Sequence, residues 1–311
     1  MNRPLLLLWI ITAAIGCARQ NQDLPLNAFH IAVDTLPEKP AIDSFAFSIP
    51  IPRNIKIGEY FAFMDSLAAH YDSLLPYPLT EHVLVRATPW IIDSLEATDY
   101  YRLMEKGVFV FDQMQLIILK KGDSLRTPSP TYAAVMAETF RSTWIDVNIP
   151  EFKLRIVEGA DTLYTFPVRV GQNRKRYLKM AGRVVDLRTT PGVGAIVRIN
   201  RYPVYMNPCD CHVYQVTHRD DGKVTVCPQI PWLEPELDGR RTGCMIHPTT
   251  NPVTLGKAYS NGCVGTREGD AWRIYYHAPL GTKVVFRYDL KIPEENGDTL
   301  QLKDIYKWAK R

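Results

Sequence analysis

Between Val147 and Leu290 the chain is cut into short β-rich runs by Gly, Pro, Asn and Asp, and this punctuation limits the fold more than any other feature. VNIPEFKLRIVEG, TLYTFPVRVGQ, VGAIVRIN, GKVTVCP and GTKVVFRYDL each carry β-branched or aromatic residues and end in turn formers. Such runs suit a mainly antiparallel β-domain. One segment breaks the pattern: Glu268 to His277 sets Ala271, Trp272, Ile274 and Tyr275 on one side of a helix. The residue pattern alone gives a β-rich half and nothing more specific.

The first half reads differently. From Ile57 to Leu75, Tyr60, Phe61, Met64, Leu67, Ala68, Tyr71, Leu74 and Leu75 recur at helical spacing, and Pro76 and Pro78 end the helix. Thr88-Pro89-Trp90 starts a second helix, and Asp99 to Lys106 forms a third that stops at Gly107. Val108 to Arg126, with Val-Phe-Val-Phe and Leu-Ile-Ile-Leu, predicts a hairpin, and Leu154 to Leu163 predicts another. Residues 29–55 are Pro-rich and extended. A helix from Thr131 to Phe140 falls in residues 127–144, the best boundary between the halves. With 311 residues, the chain has room for two cores. The expectation is a mixed α/β N-terminal accessory region over 29–130, whose role the sequence leaves open. A β-rich domain over 145–290 and a C-terminal extension over 291–311 follow.

The N-terminus reads as a targeting segment. Arg3 is followed by an apolar run from Leu5 to Ile15 broken only by Thr12. At about eleven residues it is short of the roughly twenty that span a bilayer. Ala14-Ile15-Gly16-Cys17 resembles a bacterial lipobox, which implies a signal peptide over 1–16, lipidation of Cys17 and a polar tether over 17–28. An ordinary secretory leader cleaved nearby is the alternative. Either way the chain leaves the cytoplasm, and the lipobox implies a periplasmic protein anchored to a bacterial membrane by its N-terminal lipid.

Net charge is +4, and loss of Arg3 with the leader leaves about +3, too little and too dispersed to indicate nucleic acid. No phosphate loop, dinucleotide fingerprint or metal-protease helix is present, and no cofactor is implied. An exported chain sits where disulfides persist. Cys209, Cys211, Cys227 and Cys244 are compatible with structural disulfides in three connectivities, with free thiols, or with a metal site near His212 and His218. Metal is the weakest of these, because the Cys-Asp-Cys spacing is tight and the second half of a zinc pattern is missing. A bridge at Cys244 would brace the wall near His247.

The chemistry concentrates at His247, followed after twelve residues by Ser260-Asn261-Gly262-Cys263. An imidazole that takes a thiol proton, and a thiolate that attacks a carbonyl, are the requirements of thiol acyl transfer. Gly262 permits close backbone approach beside the sulfur, where an amide can face an oxyanion. Pro248 offers His247 no N–H, so a backbone carbonyl near the turn is the expected partner for the other ring nitrogen. Ser260 and Asn261 are candidate polar supports, with Asn261 facing solvent. His212, His218 and His277 read as surface or packing histidines. Trp232, Trp272, Tyr202 and Tyr205 fit core or groove. Arg198, Arg201, Arg240 and Arg241 are candidates for binding carboxylates.

The string from Met245 to Thr266, MIHPTTNPVTLGKAYSNGCVGT, resembles the signature of the YkuD-type L,D-transpeptidases. His247, Asn251-Pro252, Leu255-Gly256-Lys257-Ala258 and Ser260-Asn261-Gly262-Cys263 stand in the family order. Val147 to Leu154, Phe166 to Gly171, Thr190 to Gly194 and Pro279 to Val284 resemble further landmarks, so the likeness spans about 145–288. It implies a β-sandwich catalytic domain with one or two helices, with Cys263 as nucleophile and His247 as general base. The substrates it implies are peptidoglycan stem peptides, as both donor and acceptor, joined by 3–3 cross-links through a Cys263 thioester. An L,D-carboxypeptidase trimming tetrapeptide stems and a non-catalytic wall-binding lipoprotein are the alternatives. One departure stands out: many relatives carry Arg two residues after the cysteine, where this chain has Gly265. Arg267 is then the candidate for binding substrate.

Overall fold

The computed structural model describes residues 45–294 and 297–308. The leader, Cys17, the tether and the start of the accessory region lie outside them.

Six helices occur among the described residues: α1 (Ile57–Asp72), α2 (Glu81–Ala87), α3 (Trp90–Glu96), α4 (Tyr100–Glu105), α5 (Pro130–Ser142) and α6 (Glu268–His277). The apolar spacing read for α1 buries Ile57, Tyr60, Phe61 and Met64. The unforeseen α2 starts where Thr80 Oγ1 accepts the Val83 amide at 3.2 Å, a cap whose only mark in the sequence is Thr-Glu. Asp99 caps α4 by accepting the Tyr101 and Arg102 amides, and Gly107 takes a left-handed turn after it.

The hairpin expected over Val108 to Arg126 does not form. Asp112 accepts the Met114 amide and winds Gln113–Gln115 into a 3₁₀ turn, while Phe111 gives its carbonyl to Val226 N–H. The first β-rich run, Val108 to Phe111, forms no strand; Ile117–Leu119 pairs with Ile55–Lys56, and Ser124–Pro128 with Phe45–Pro50. Both pairings are antiparallel and non-local, so adjacency in sequence misled.

The β-rich half is an eight-stranded mixed sheet. Its strands are β1 (Thr143–Asn148), β2 (Lys153–Glu158), β3 (Asp161–Pro167), β4 (Gly192–Asn200), β5 (Trp232–Leu237), β6 (Ile246–Pro248), β7 (Val264–Thr266) and β8 (Lys283–Arg287). The order is β7-β6-β5-β4-β8-β1-β2-β3, parallel at β7/β6 and β8/β1 and antiparallel elsewhere. The β2–β3 hairpin is the one read from Leu154 to Leu163. Central β1 is buried almost throughout, and its Asp146 is compensated by Arg155 and Arg287. The sheet curls until its edges meet. Just past β3, Arg169 N–H donates to Gly265 O at 2.9 Å and Gly265 N–H to Arg169 O at 3.0 Å, joining that segment to β7. Val170 and Gly171 then run parallel to Ala258–Ser260.

Helix α6 is buried along nearly its whole length and packs against α2, α3 and β6. Tyr276 Oη reaches Tyr60 Oη at 2.7 Å, and Tyr275 Oη donates to Glu81 at 2.9 Å. At its N-terminus Glu268 pairs with Arg219 and accepts from the Tyr100 amide at 3.0 Å and Gln113 Nε2 at 2.9 Å. The helical segment before residue 142 therefore shares a core with the sheet, and α5 runs directly into β1. Glu268 and Arg219 side chains are 1% and 0% exposed. Breaking such a pair strands a buried charge at a cost of roughly 3–5 kcal/mol. Glu268→Ala is expected to destabilise by that order in urea unfolding; a change under 1 kcal/mol would show that the pair does not hold the joint.

Candidate active site

Parallel pairing of β6 with β7 sets His247 opposite Gly265, and Cys263 lies two residues before Gly265. Cys263 immediately precedes β7, so it lies beside the strand whose parallel partner carries His247. The sulfur receives the Met245 N–H at 3.5 Å and lies 4.0 Å from the Gly243 carbonyl. It is thus backed by the segment that leads into His247.

The imidazole Nδ1 lies 2.8 Å from the Pro248 carbonyl. A carbonyl only accepts, so the proton sits on Nδ1 and Nε2 presents its lone pair. The indole of Trp232 lies against the ring, centroids 4.8 Å apart and planes at 36°. The loop after His247 is pinned by Thr249 N–H to Thr266 O at 2.8 Å, by Asn251 N–H to Thr249 Oγ1 at 3.1 Å, and by Thr254 Oγ1 to Asn251 O at 2.7 Å. Asn251 Nδ2 and Val253 N–H both donate to Asp220.

Ser260 closes the turn that carries the cysteine. Its hydroxyl donates to Cys263 O at 2.6 Å and accepts the Gly262 amide at 3.2 Å. Gly262 adopts φ +117°, a conformation open to glycine alone. Its amide is therefore engaged by Ser260 rather than turned to the cleft, and Asn261 faces solvent. Gly262 O accepts from Thr189 Oγ1 at 2.9 Å and from Cys244 Sγ at 3.2 Å.

Burial pushes the Cys263 thiol up, an effect the Met245 amide and the Arg169 charge oppose. Burial and the Arg169 charge bring His247 down to about 4, with the bond to Pro248 acting the other way. At neutral pH Cys263 is therefore a thiol and His247 an unprotonated imidazole.

Residues 142–286 match the family model of the L,D-transpeptidase catalytic domain, YkuD. This segment is a YkuD domain. Among solved structures, the chain is similar to an L,D-transpeptidase of Xylanimonas cellulosilytica, with 13% identity over 77% of this chain and 98% of that one, TM-score 0.35. It is similar to an L,D-transpeptidase from Mycobacterium smegmatis at 12% identity, covering 47% of this chain and 58% of that one, TM-score 0.33. For the E. faecium catalytic domain acylated by ertapenem, the figures are 14% identity, 47% and 98% coverage, and TM-score 0.32. No curated protein matches the chain.

Within the YkuD domain, Arg267 is exposed at the N-cap of α6. It lines a crevice of about 500 Å³ with Glu96, Arg102, Tyr164, Asp270 and Arg273, and neither Cys263 nor His247 borders that crevice. The guanidinium whose charge acts on both is that of Arg169. Three of the other candidate arginines are engaged in ion pairs: Arg198 and Arg241 share Glu234, and Arg201 bonds Asp65 and Glu81. Trp272 is core, whereas Trp232 and Tyr205 form the wall behind His247, rings 5.2 Å apart.

Cys209, Cys211, Cys227, Cys244 and Cys263 are all thiols, so no disulfide forms among the described cysteines. The brace expected from Cys244 is a hydrogen bond to the Gly262 carbonyl. His277 is buried against Arg273 O, and His212 lies against Tyr214.

Two supports of the YkuD site escaped the sequence reading. Thr189 holds Gly262 O and also accepts the buried Gly171 amide at 2.8 Å, and its own amide donates to Tyr306 Oη at 3.1 Å. Tyr306 belongs to the C-terminal extension and carries no motif; Thr189 was visible only as a neighbour of the Thr190-Pro191-Gly192 landmark. Thr189→Val strands the Gly171 amide at a cost of about 1–3 kcal/mol. We expect a lower melting temperature and slower alkylation of Cys263; an unchanged melt would remove Thr189 from this role.

Proposed function

We propose that the protein is an L,D-transpeptidase that forms 3–3 cross-links in peptidoglycan, with Cys263 as nucleophile and His247 as general base. The observation that carries the reading is the hydrogen bond of His247: Nδ1 is committed to Pro248 O, leaving Nε2 as acceptor, on the strand that pairs with the one Cys263 leads into. Nε2 takes the thiol proton as sulfur attacks the carbonyl carbon between the third and fourth residues of a donor stem. The tetrahedral oxyanion falls to the Cys263 amide, since Gly262 N–H is engaged by Ser260. A preorganised donor of this kind is typically worth about 3 kcal/mol. The C–N bond then breaks, the imidazolium returns its proton to the departing amine of D-Ala, and a thioester remains. A side-chain amine of a second stem attacks the thioester, loses its proton to Nε2 and expels the thiolate, which is reprotonated.

The match of residues 142–286 to the YkuD family supports this reading. The leader and Cys17 place the protein, in this reading, in the periplasm on a lipid anchor. Incubation of the full chain with purified disaccharide-tetrapeptides tests it: cross-linked dimers with release of D-Ala are expected. Tripeptides without dimers would replace transfer with L,D-carboxypeptidase trimming. Neither product from folded protein would leave a binding role and overturn the proposal.

A further inference from the structure

The closure of the curled sheet puts one side chain in an unusual place. Arg169 and Gly265 exchange both backbone hydrogen bonds, and Gly265 faces His247 across β6/β7. A Cβ on residue 265 would stand 2.6 Å from Arg169 Nε, 2.8 Å from its Cγ and 3.1 Å from its Cδ. The stem of Arg169 therefore fills the space into which any side chain at 265 would emerge. Its Nη1 donates to Thr254 Oγ1 at 3.2 Å, and its Nε is buried with no hydrogen-bond partner. A buried guanidinium with an idle donor, laid across the strand that follows the nucleophile, is costly unless its charge is used.

We propose that Arg169 is a positioning residue that supplies the cation to the Cys263 turn across the sheet closure, with Gly265 as the gap that admits it. This rests on Cys263 being the nucleophile. The guanidinium favours the thiolate over the thiol and disfavours a proton on His247, so it makes Cys263 the stronger acid and His247 the weaker base, and its net benefit lies in holding the thiolate. Burial lowers the Arg169 pKa, and the groups that oppose this are Cys263, Tyr259, Asp220 and Tyr205; Arg169 and the neutral Cys244 thiol are the titratable groups that interact with the sulfur.

The test is the pH profile of Cys263 alkylation by iodoacetamide, followed by intact mass on the whole protein. For Arg169→Met we expect alkylation about tenfold slower at pH 7, with the profile moved up by about one pH unit. A doubly substituted R169A/G265R chain returns a cation to the same space from the other strand, and its profile is expected to move back to that of the wild type. Arg169→Met superimposing on wild type, or a folded R169A/G265R chain that keeps the shifted profile, overturns the proposal. If Arg169→Met does not fold, the R169A/G265R profile alone decides. Alkylation needs no stem peptide, so an absence of cross-linking would count against the proposed function while leaving this result standing.

Discussion

In the proposed mechanism, replacing Cys263 by alanine is expected to abolish acyl transfer, with D-Ala release falling at least about 10³-fold. The reason is covalent: without sulfur no thioester forms, and no other side chain is placed to make one. Cys244 is the nearest alternative thiol, yet it is 8% exposed, donates to Gly262 O, and burial raises it well above an ordinary thiol. The fold should survive, because the sulfur has only two long contacts, to the Met245 amide and the Gly243 carbonyl. The measurement is D-Ala release beside a melting curve, and intact mass should show an acyl adduct on wild type alone. Transfer by the alanine variant above a tenth of wild type would remove Cys263 from the mechanism.

Replacing His247 by glutamine is expected to slow transfer by about 10²–10⁴-fold, the usual contribution of a positioned base. The pH dependence tells more than the loss. A base works unprotonated, and His247 is held near 4 where a free imidazole would charge at about 6.5. As pH falls from 7, the wild-type acid limb should therefore stay flat through 6 and drop only as pH nears 4 to 5. Thiolate content rises with pH, so the alkaline side climbs. A wild-type acid limb centred at 6.5 would mean that the ring is not desolvated in the working enzyme. A glutamine variant that kept the wild-type profile would mean that another group takes the proton.

Much of this site was readable in the chain because its parts are local. His247 and Cys263 lie in one loop, Ser260 and Gly262 act within a four-residue turn, and the apolar side of α6 is read along a single helix. The backbone acceptor for His247 followed from Pro248 having no N–H. The misreadings had one origin. Val108 to Arg126 was given a local hairpin, whereas its β-rich run pairs with residues before α1 and Phe111 gives its carbonyl to Val226. Arg267 stands near the cysteine in sequence, and in the fold it lines a crevice that neither Cys263 nor His247 borders.

The sequence by itself singled out His247 and Cys263 as the candidate pair, a glycine beside the sulfur, and a β-rich half that carries one helix. Each depends on residues a few positions apart, where spacing dictates geometry. Tertiary structure alone decided that Arg169 lies across Gly265, that Thr189 and Tyr306 hold the turn, and that Glu268 joins α6 to Arg219 and Gln113. Those contacts span tens to hundreds of residues and exist only once the sheet curls and its edges meet at Arg169 and Gly265.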